Sequence, residues 1–197
     1  MQLKIMWEEA LSLISIKMKK DLERFVEIPE GIEVSVNGNE FIVKGNGKEL
    51  TRKFDIGKIK TEIKDDKVVL LAKDATRRES KMMGTVWAHL KNMVKGVNED
   101  FVYELEVCNV HFPMNIKADG DKITIKSFLG ETTQRVAKIV PGVKVDIKGS
   151  QITVSSSNIE DAGQTAANLE KATRLTGRDR RIFQDGIFIT NKCGRAI

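Results

Sequence analysis

Cysteine is scarce in this chain: Cys108 and Cys193 are the two among 197 residues. That is too few for a disulfide framework, so free thiols in a reduced, cytosolic setting are expected. Histidine is equally sparse. His89 lies inside a helical pattern and His111 beside Phe112-Pro113 at a strand entrance, and neither has a nucleophile motif next to it, so both read as structural and the chain does not read as an enzyme. Cys108-x-x-His111 has the spacing of half a zinc site but lacks the second closely spaced pair. Gly45 and Gly47 follow a strand signal without the Lys-Ser/Thr ending of a phosphate loop or the third glycine of a dinucleotide fingerprint, so they read as a hairpin loop. Asp119-Gly120-Asp121 lacks the bidentate acid of a calcium loop. No metal, cofactor or small-molecule substrate is therefore expected. No apolar run approaches the roughly 18 residues of a membrane span. The apolar stretch from Ala10 to Ile16 follows Glu8 and Glu9 and precedes no small-residue cleavage site, so a signal peptide is not expected either.

What the chain does contain is a repeat. Thr76-x-x-Glu79 opens one helical pattern that runs to about Gly96, and Ser157-x-x-Glu160 opens another that runs to about Gly177, which predicts helices of matching length. Asn37-Gly38 lies between Ile32/Val34/Val36 and Phe41/Val43, as Asp119-Gly120 lies between Met114/Ile116/Ala118 and Ile123/Ile125; each is a hairpin signal. A third pair sets Ile59/Ile63, the turn Asp65-Asp66 and Val68 to Leu71 against Val143/Val145/Ile147, the turn Gly149-Ser150 and Ile152/Val154. Three features in one order at nearly one offset predict an α+β protein of two duplicated domains, each a β-sheet packed against one main helix. The helix stripes Met83/Val86/Leu90/Met93/Val97 and Ile159/Ala162/Ala166/Leu169 are the expected core faces. The second helix is rich in small residues, which suits close approach to its sheet.

The boundaries that follow are an extension over 1–24, repeats over 25–98 and 99–178, and a basic tail over 179–197. In the extension, Trp7, Leu11, Ile14 and Met18 fall at helical spacing, yet a chain starting at Met18 is expected to be sufficient.

Charge singles out the C-terminal end. Seven of the 33 basic residues and two of the 28 acidic ones occur from Lys171 onward, leaving 26 of each in the first 170 residues. The whole excess of +5 therefore lies in the last 27 residues. Arginine's planar fork suits phosphate oxygens, and glycine lets backbone N–H groups approach them. The expected RNA contacts are Lys171, Arg174, Thr176, Gly177, Arg178, Arg180, Arg181, Lys192 and Arg195, with Phe183 and Phe188 as apolar pegs. Lys171 and Arg174 also suit a helix C-terminus on dipole grounds alone. An adaptor that binds acidic protein partners through the same charge remains a rival reading.

Several separated segments resemble one known family. Glu27-Ile28-Pro29-Glu30-Gly31-Ile32-Glu33-Val34, Val36-Asn37-Gly38-Asn39, Val43-Lys44-Gly45 and Gly47-Lys48-Glu49-Leu50 resemble the first domain of the ribosomal protein L six family of the large subunit. Gly84-Thr85 and Asn92-Met93-Val94-Lys95-Gly96-Val97 resemble its first helix. The run from Gly163 to Glu170 and the ending Arg181-Ile182-Phe183-Gln184-Asp185-Gly186-Ile187 resemble its archaeal and eukaryotic branch. The bacterial Tyr-Lys-Gly-Lys-Gly tail is missing, and Phe188 stands where the closer branch often has tyrosine. The resemblance implies a structural, non-enzymatic constituent of cytoplasmic ribosomes that supports translation. It further implies a second domain binding large-subunit rRNA near the sarcin-ricin loop, and a first domain facing the translation-factor approach and the ribosomal proteins of the stalk base.

Overall fold

The computed structural model describes residues 20–64 and 66–197. The expected helical spacing of Trp7, Leu11, Ile14 and Met18 and the turn residue Asp65 lie outside these. The chain divides into two compact units, Met1–Asn98 and Glu99–Ile197.

In the first unit the described strands form two sheets. Strands β1 (Lys20–Glu27), β5 (Lys60–Lys64) and β6 (Lys67–Ala75) give one sheet with β6 in the middle, and β2 (Ile32–Asn37), β3 (Glu40–Gly45) and β4 (Lys48–Lys53) give a second with β3 in the middle. Helix α1 (Arg77–Asn98) contacts both. Its start is the expected capping box. The Glu79 carboxylate accepts from the Thr76 backbone N–H and hydroxyl, and Thr76 Oγ1 accepts from the Arg78 N–H at 3.3 Å. The whole predicted stripe of α1 is buried, against Phe41, Val43, Val68 and Leu70 from the two sheets. Asn46 and Gly47 both have positive φ, 48° and 72°, so the β3–β4 loop is a tight hairpin turn. Gly45 is required by space. A Cβ there would lie 2.9 Å from Val97 Cγ1 and 3.1 Å from the Gly31 carbonyl oxygen.

The second unit repeats the plan. Strands β8 (Asn115–Asp119), β9 (Lys122–Lys126) and β10 (Arg135–Lys138) form one sheet. The other runs in the order β11 (Lys144–Lys148), β12 (Gln151–Ser156), β7 (Phe101–Cys108), β13 (Gly186–Lys192), β14 (Arg195–Ala196). β7 alternates strictly, with Phe101, Tyr103, Leu105 and Val107 buried and Val102, Glu104 and Glu106 facing solvent. Helix α2 (Ile159–Ala172) packs on β7, β10, β12 and β13 through Ala162, Ala166 and Leu169. Its small residues do permit close approach: Gly163 lies so near Tyr103 that a Cβ would be 3.1 Å from the phenol oxygen.

Three boundaries differ from the sequence reading, each for a local reason. β1 starts at Lys20, pairing Lys20 with Ala75 and Leu22 with Ala72, so residues 20–24 belong to the first sheet instead of an extension. α2 is capped by Asn158, whose side chain accepts from the Glu160 N–H, and it stops at Ala172, giving 14 residues against 22 in α1. Gly177 is a loop glycine five residues further on. Finally, residues 186–196 are no tail. β13 pairs along β7 from Gly186↔Cys108 to Lys192↔Tyr103, and Ile187 is fully buried in the core.

Among the described residues, the buried members of the first core fall between Val26 and Val97, so this unit has its own apolar interior. A fragment spanning residues 20–98 is expected to unfold in a single cooperative thermal transition, followed by circular dichroism. A broad, non-cooperative melt would show that the core is not self-sufficient.

Candidate nucleic-acid interface

The cationic segment begins where α2 ends. Thr173, buried at its C-terminus, donates from Oγ1 to the Glu170 carbonyl at 3.2 Å and accepts from the Ile187 N–H at 3.0 Å, which ties the helix end to the start of β13. Arg135 secures the same corner from β10. Its guanidinium pairs bidentately with Glu131 at 2.7 and 2.8 Å and donates to the carbonyls of Ala172 and Arg174 at 3.0 and 3.2 Å, with Phe128 beneath it at 4.2 Å. The Ala172 carbonyl is an orphan of the helix end, satisfied here by a cation that the dipole also favours, and the Arg174 carbonyl belongs to the loop that follows. The Glu131 carboxyl is held below the usual carboxylate range, chiefly by the Arg135 hydrogen bonds and in part by the charge of Arg178. Sequence reasoning missed Arg135; its i,i+4 spacing from Glu131 was the available signal, but a pair outside any helix gives no reason to look.

From this corner the chain runs out through Thr176 and Gly177, both exposed, with Gly177 at φ 73°. Asp179 then folds the next residues back. Its backbone carbonyl accepts from the N–H groups of Ile182 and Phe183 at 3.2 and 2.9 Å, and its carboxylate accepts from the Arg181 N–H at 2.9 Å. Arg178, Arg180 and Arg181 are exposed on this loop. Phe183 is half-buried as a peg: its ring stacks on His111 with centroids 4.9 Å apart, and Arg178 lies 4.8 Å above it.

Asp185 closes the loop. Only 2% exposed, it accepts from the N–H groups of Val110 and His111 at 2.9 Å each, and its second oxygen lies 2.5 Å from His111 Nδ1. Burial is the strongest single influence on this carboxyl and opposes ionisation. The hydrogen bonds from His111 and Val110 together outweigh it and hold the group below the usual aspartate range. His111 thus faces a structural partner. His89 is placed elsewhere, in the first unit, its ring 5.7 Å from Phe54.

Not all nine expected contacts come together. Lys171, Arg174 and Arg180 line one groove of about 360 Å³ whose walls include Leu175, Phe183 and Phe188. Thr176, Gly177, Arg178 and Arg181 are on the loop beside it. Lys192 and Arg195 are at the other end of β13, flanking the turn at Cys193 and Gly194. Lys192 lies six positions along the strand from Gly186, roughly 20 Å at about 3.3 Å per residue. They form a separate exposed pair.

Chemically, the groove and loop hold Lys171, Arg174, Arg178, Arg180 and Arg181 against the acids Glu170, Asp179 and Asp185. Two of those acids are already occupied by backbone N–H groups, Asp179 by that of Arg181 and Asp185 by those of Val110 and His111. The cations therefore dominate what a ligand meets. The solvent face of β7 differs: it presents Glu104 and Glu106, which disfavour a phosphate chain.

Two comparisons bear on this arrangement. The family model described as ribosomal protein L6 matches residues 28–100 and again 112–186. Similar relatives include three archaeal proteins described as large ribosomal subunit protein uL6. That of Methanococcus vannielii is 42% identical over 172 residues, covering 87% of this chain and 94% of the relative. That of Methanobrevibacter smithii is 43% identical over 167 residues, covering 85% and 94%. That of Methanosarcina mazei is 42% identical over 175 residues, covering 89% and 99%.

Proposed function

The chain belongs to the ribosomal protein L6 family, and on that premise we propose that its second unit grips large-subunit rRNA through the groove and loop that follow α2. The protein is a structural, non-enzymatic constituent of the large ribosomal subunit, located in the ribosome in the cytoplasm among rRNA and other ribosomal proteins. The observation that carries the finer reading is the convergence of Lys171, Arg174 and Arg180 on one groove, with Arg178 and Arg181 beside it.

Such cations position an RNA backbone without reading its sequence. Each phosphate neutralised releases counterions, so the grip weakens steeply with salt. Thr176 and Gly177 carry backbone that a phosphate can approach, since nothing lies within 4 Å of the place a Gly177 side chain would take. Lys192 and Arg195 touch a second stretch of RNA. Following the family resemblance, the rRNA gripped lies near the sarcin-ricin loop, and the first unit faces the stalk-base proteins.

Cosedimentation with large subunits, before and after nuclease digestion, tests this. The protein is expected to travel with intact subunits and to be released once their RNA is cut. Retention after full digestion would overturn the RNA reading in favour of a protein adaptor.

A further inference from the structure

We propose that His111 is a positioning residue for RNA binding, the middle member of a relay that carries order from the sheet to Arg178. This rests on the rRNA reading of the groove and loop and deepens it. The relay starts at Asp185, buried at the mouth of β13 and fixed by two backbone N–H groups of the segment after β7. Asp185 holds the imidazole at Nδ1, 2.5 Å away; with the carboxylate ionised, that nitrogen carries the proton. The imidazole plane is thereby set, and Phe183 stacks on it at 26° between planes. Arg178 rests on the ring of Phe183.

The need for such a device follows from the side chain at its end. A free arginine loses rotamer freedom when it is fixed on a ligand. A guanidinium already resting on an aromatic plane has lost part of that freedom before RNA arrives, which favours binding. Two largely exposed segments, 109–113 and 178–184, meet here. Among the described residues of the loop, the turn at Asp179 connects only neighbours in sequence. The Phe183–His111 stack connects the loop to a distant part of the chain, 72 positions away.

The test compares full-length wild type with His111→Ala and His111→Phe, using purified large-subunit rRNA over a range of salt concentrations. Thermal unfolding and amide hydrogen exchange of residues 178–184 are followed alongside. His111→Ala is expected to weaken binding on the order of tenfold and to lower the log-log salt slope by about one phosphate contact, roughly 0.7–0.9. Exchange in the loop should rise while the core stays protected. His111→Phe keeps an aromatic partner for Phe183 but loses the hydrogen bond to Asp185, so it should recover part of the affinity and the slope, intermediate between alanine and wild type.

Unchanged affinity, slope and loop exchange in His111→Ala would overturn the proposal. So would a phenylalanine variant no better than alanine, or an affinity loss that vanishes once the unfolded fraction is subtracted. Wild-type protein that shows no salt-dependent binding at all would instead fail the rRNA reading itself.

Discussion

Asp185→Asn is expected to lower the melting temperature of the second unit by roughly 10–20 °C near neutral pH, a loss of about 2–3 kcal/mol in a unit of this size. The carboxylate is buried and accepts three hydrogen bonds, two from backbone N–H groups and one from His111. Asparagine has the same shape, and its oxygen can still accept from the two backbone N–H groups, but the charge that strengthens all three bonds is gone and its NH₂ can bond His111 Nδ1 only if the imidazole changes tautomer. Hydrogen bonds to a charged group are worth more than neutral ones, and that difference is what the variant loses.

The same residue sets a pH signature. Its ionisation in the folded state is shifted below the ordinary aspartate value, the hydrogen bonds outweighing the opposing burial. A carboxyl depressed in this way contributes its stabilisation fully above the unfolded value, and the contribution is lost as pH falls from there through the folded value. The gap in melting temperature between wild type and Asp185→Asn should therefore be clearly narrower at about pH 3 than at about pH 7. A gap of the same size at both ends would show that the charge of Asp185 does not stabilise the fold.

The second large effect is on binding. Replacing Arg180 and Arg181 together by alanine is expected to weaken association with large-subunit rRNA roughly ten- to a hundredfold at about 0.1 M salt. The log-log salt slope should fall by roughly 1.4–1.8, because each phosphate contact contributes about 0.7 on single strands and 0.9 on duplex. Melting should hardly change. Both side chains are exposed, and the hydrogen bond that shapes the loop here uses the Arg181 backbone N–H. If the slope and affinity of this variant matched wild type, the RNA site would have to lie away from the loop, and Lys192 and Arg195 would be the next residues to test.

Local chemistry alone identified much of this molecule. The hairpins at Asn37-Gly38 and Asp119-Gly120, the Thr76–Glu79 box and both helix stripes depend on residues within a few positions of one another, where periodicity and turn preferences act directly, and the duplication is the recurrence of such local signals in one order. The concentration of charge from Lys171 onward was legible for the same reason, since counting needs no contacts.

What the tertiary structure decided depends on distant pairs. Residues 186–192 read as tail because the charge count grouped them with the cations on either side, although Ile187-Phe188-Ile189-Thr190 is rich in strand-forming residues; pairing with β7 makes the segment a sheet strand with Ile187 in the core. α2 ends five residues before Gly177 because Thr173 and Arg135 bind its last carbonyls, and Arg135 arrives from a strand 37 positions away. The nine cations and loop residues expected to act together are divided between the two ends of β13, since a strand keeps its ends apart whatever the charges at either end. His111 was read as structural and Asp185 was only counted among the acids of the C-terminal end, and only the fold brings them to 2.5 Å. Sequence patterns report short-range periodicity, while hydrogen bonds across 74 positions exist only after the strands and helix of the second unit have packed.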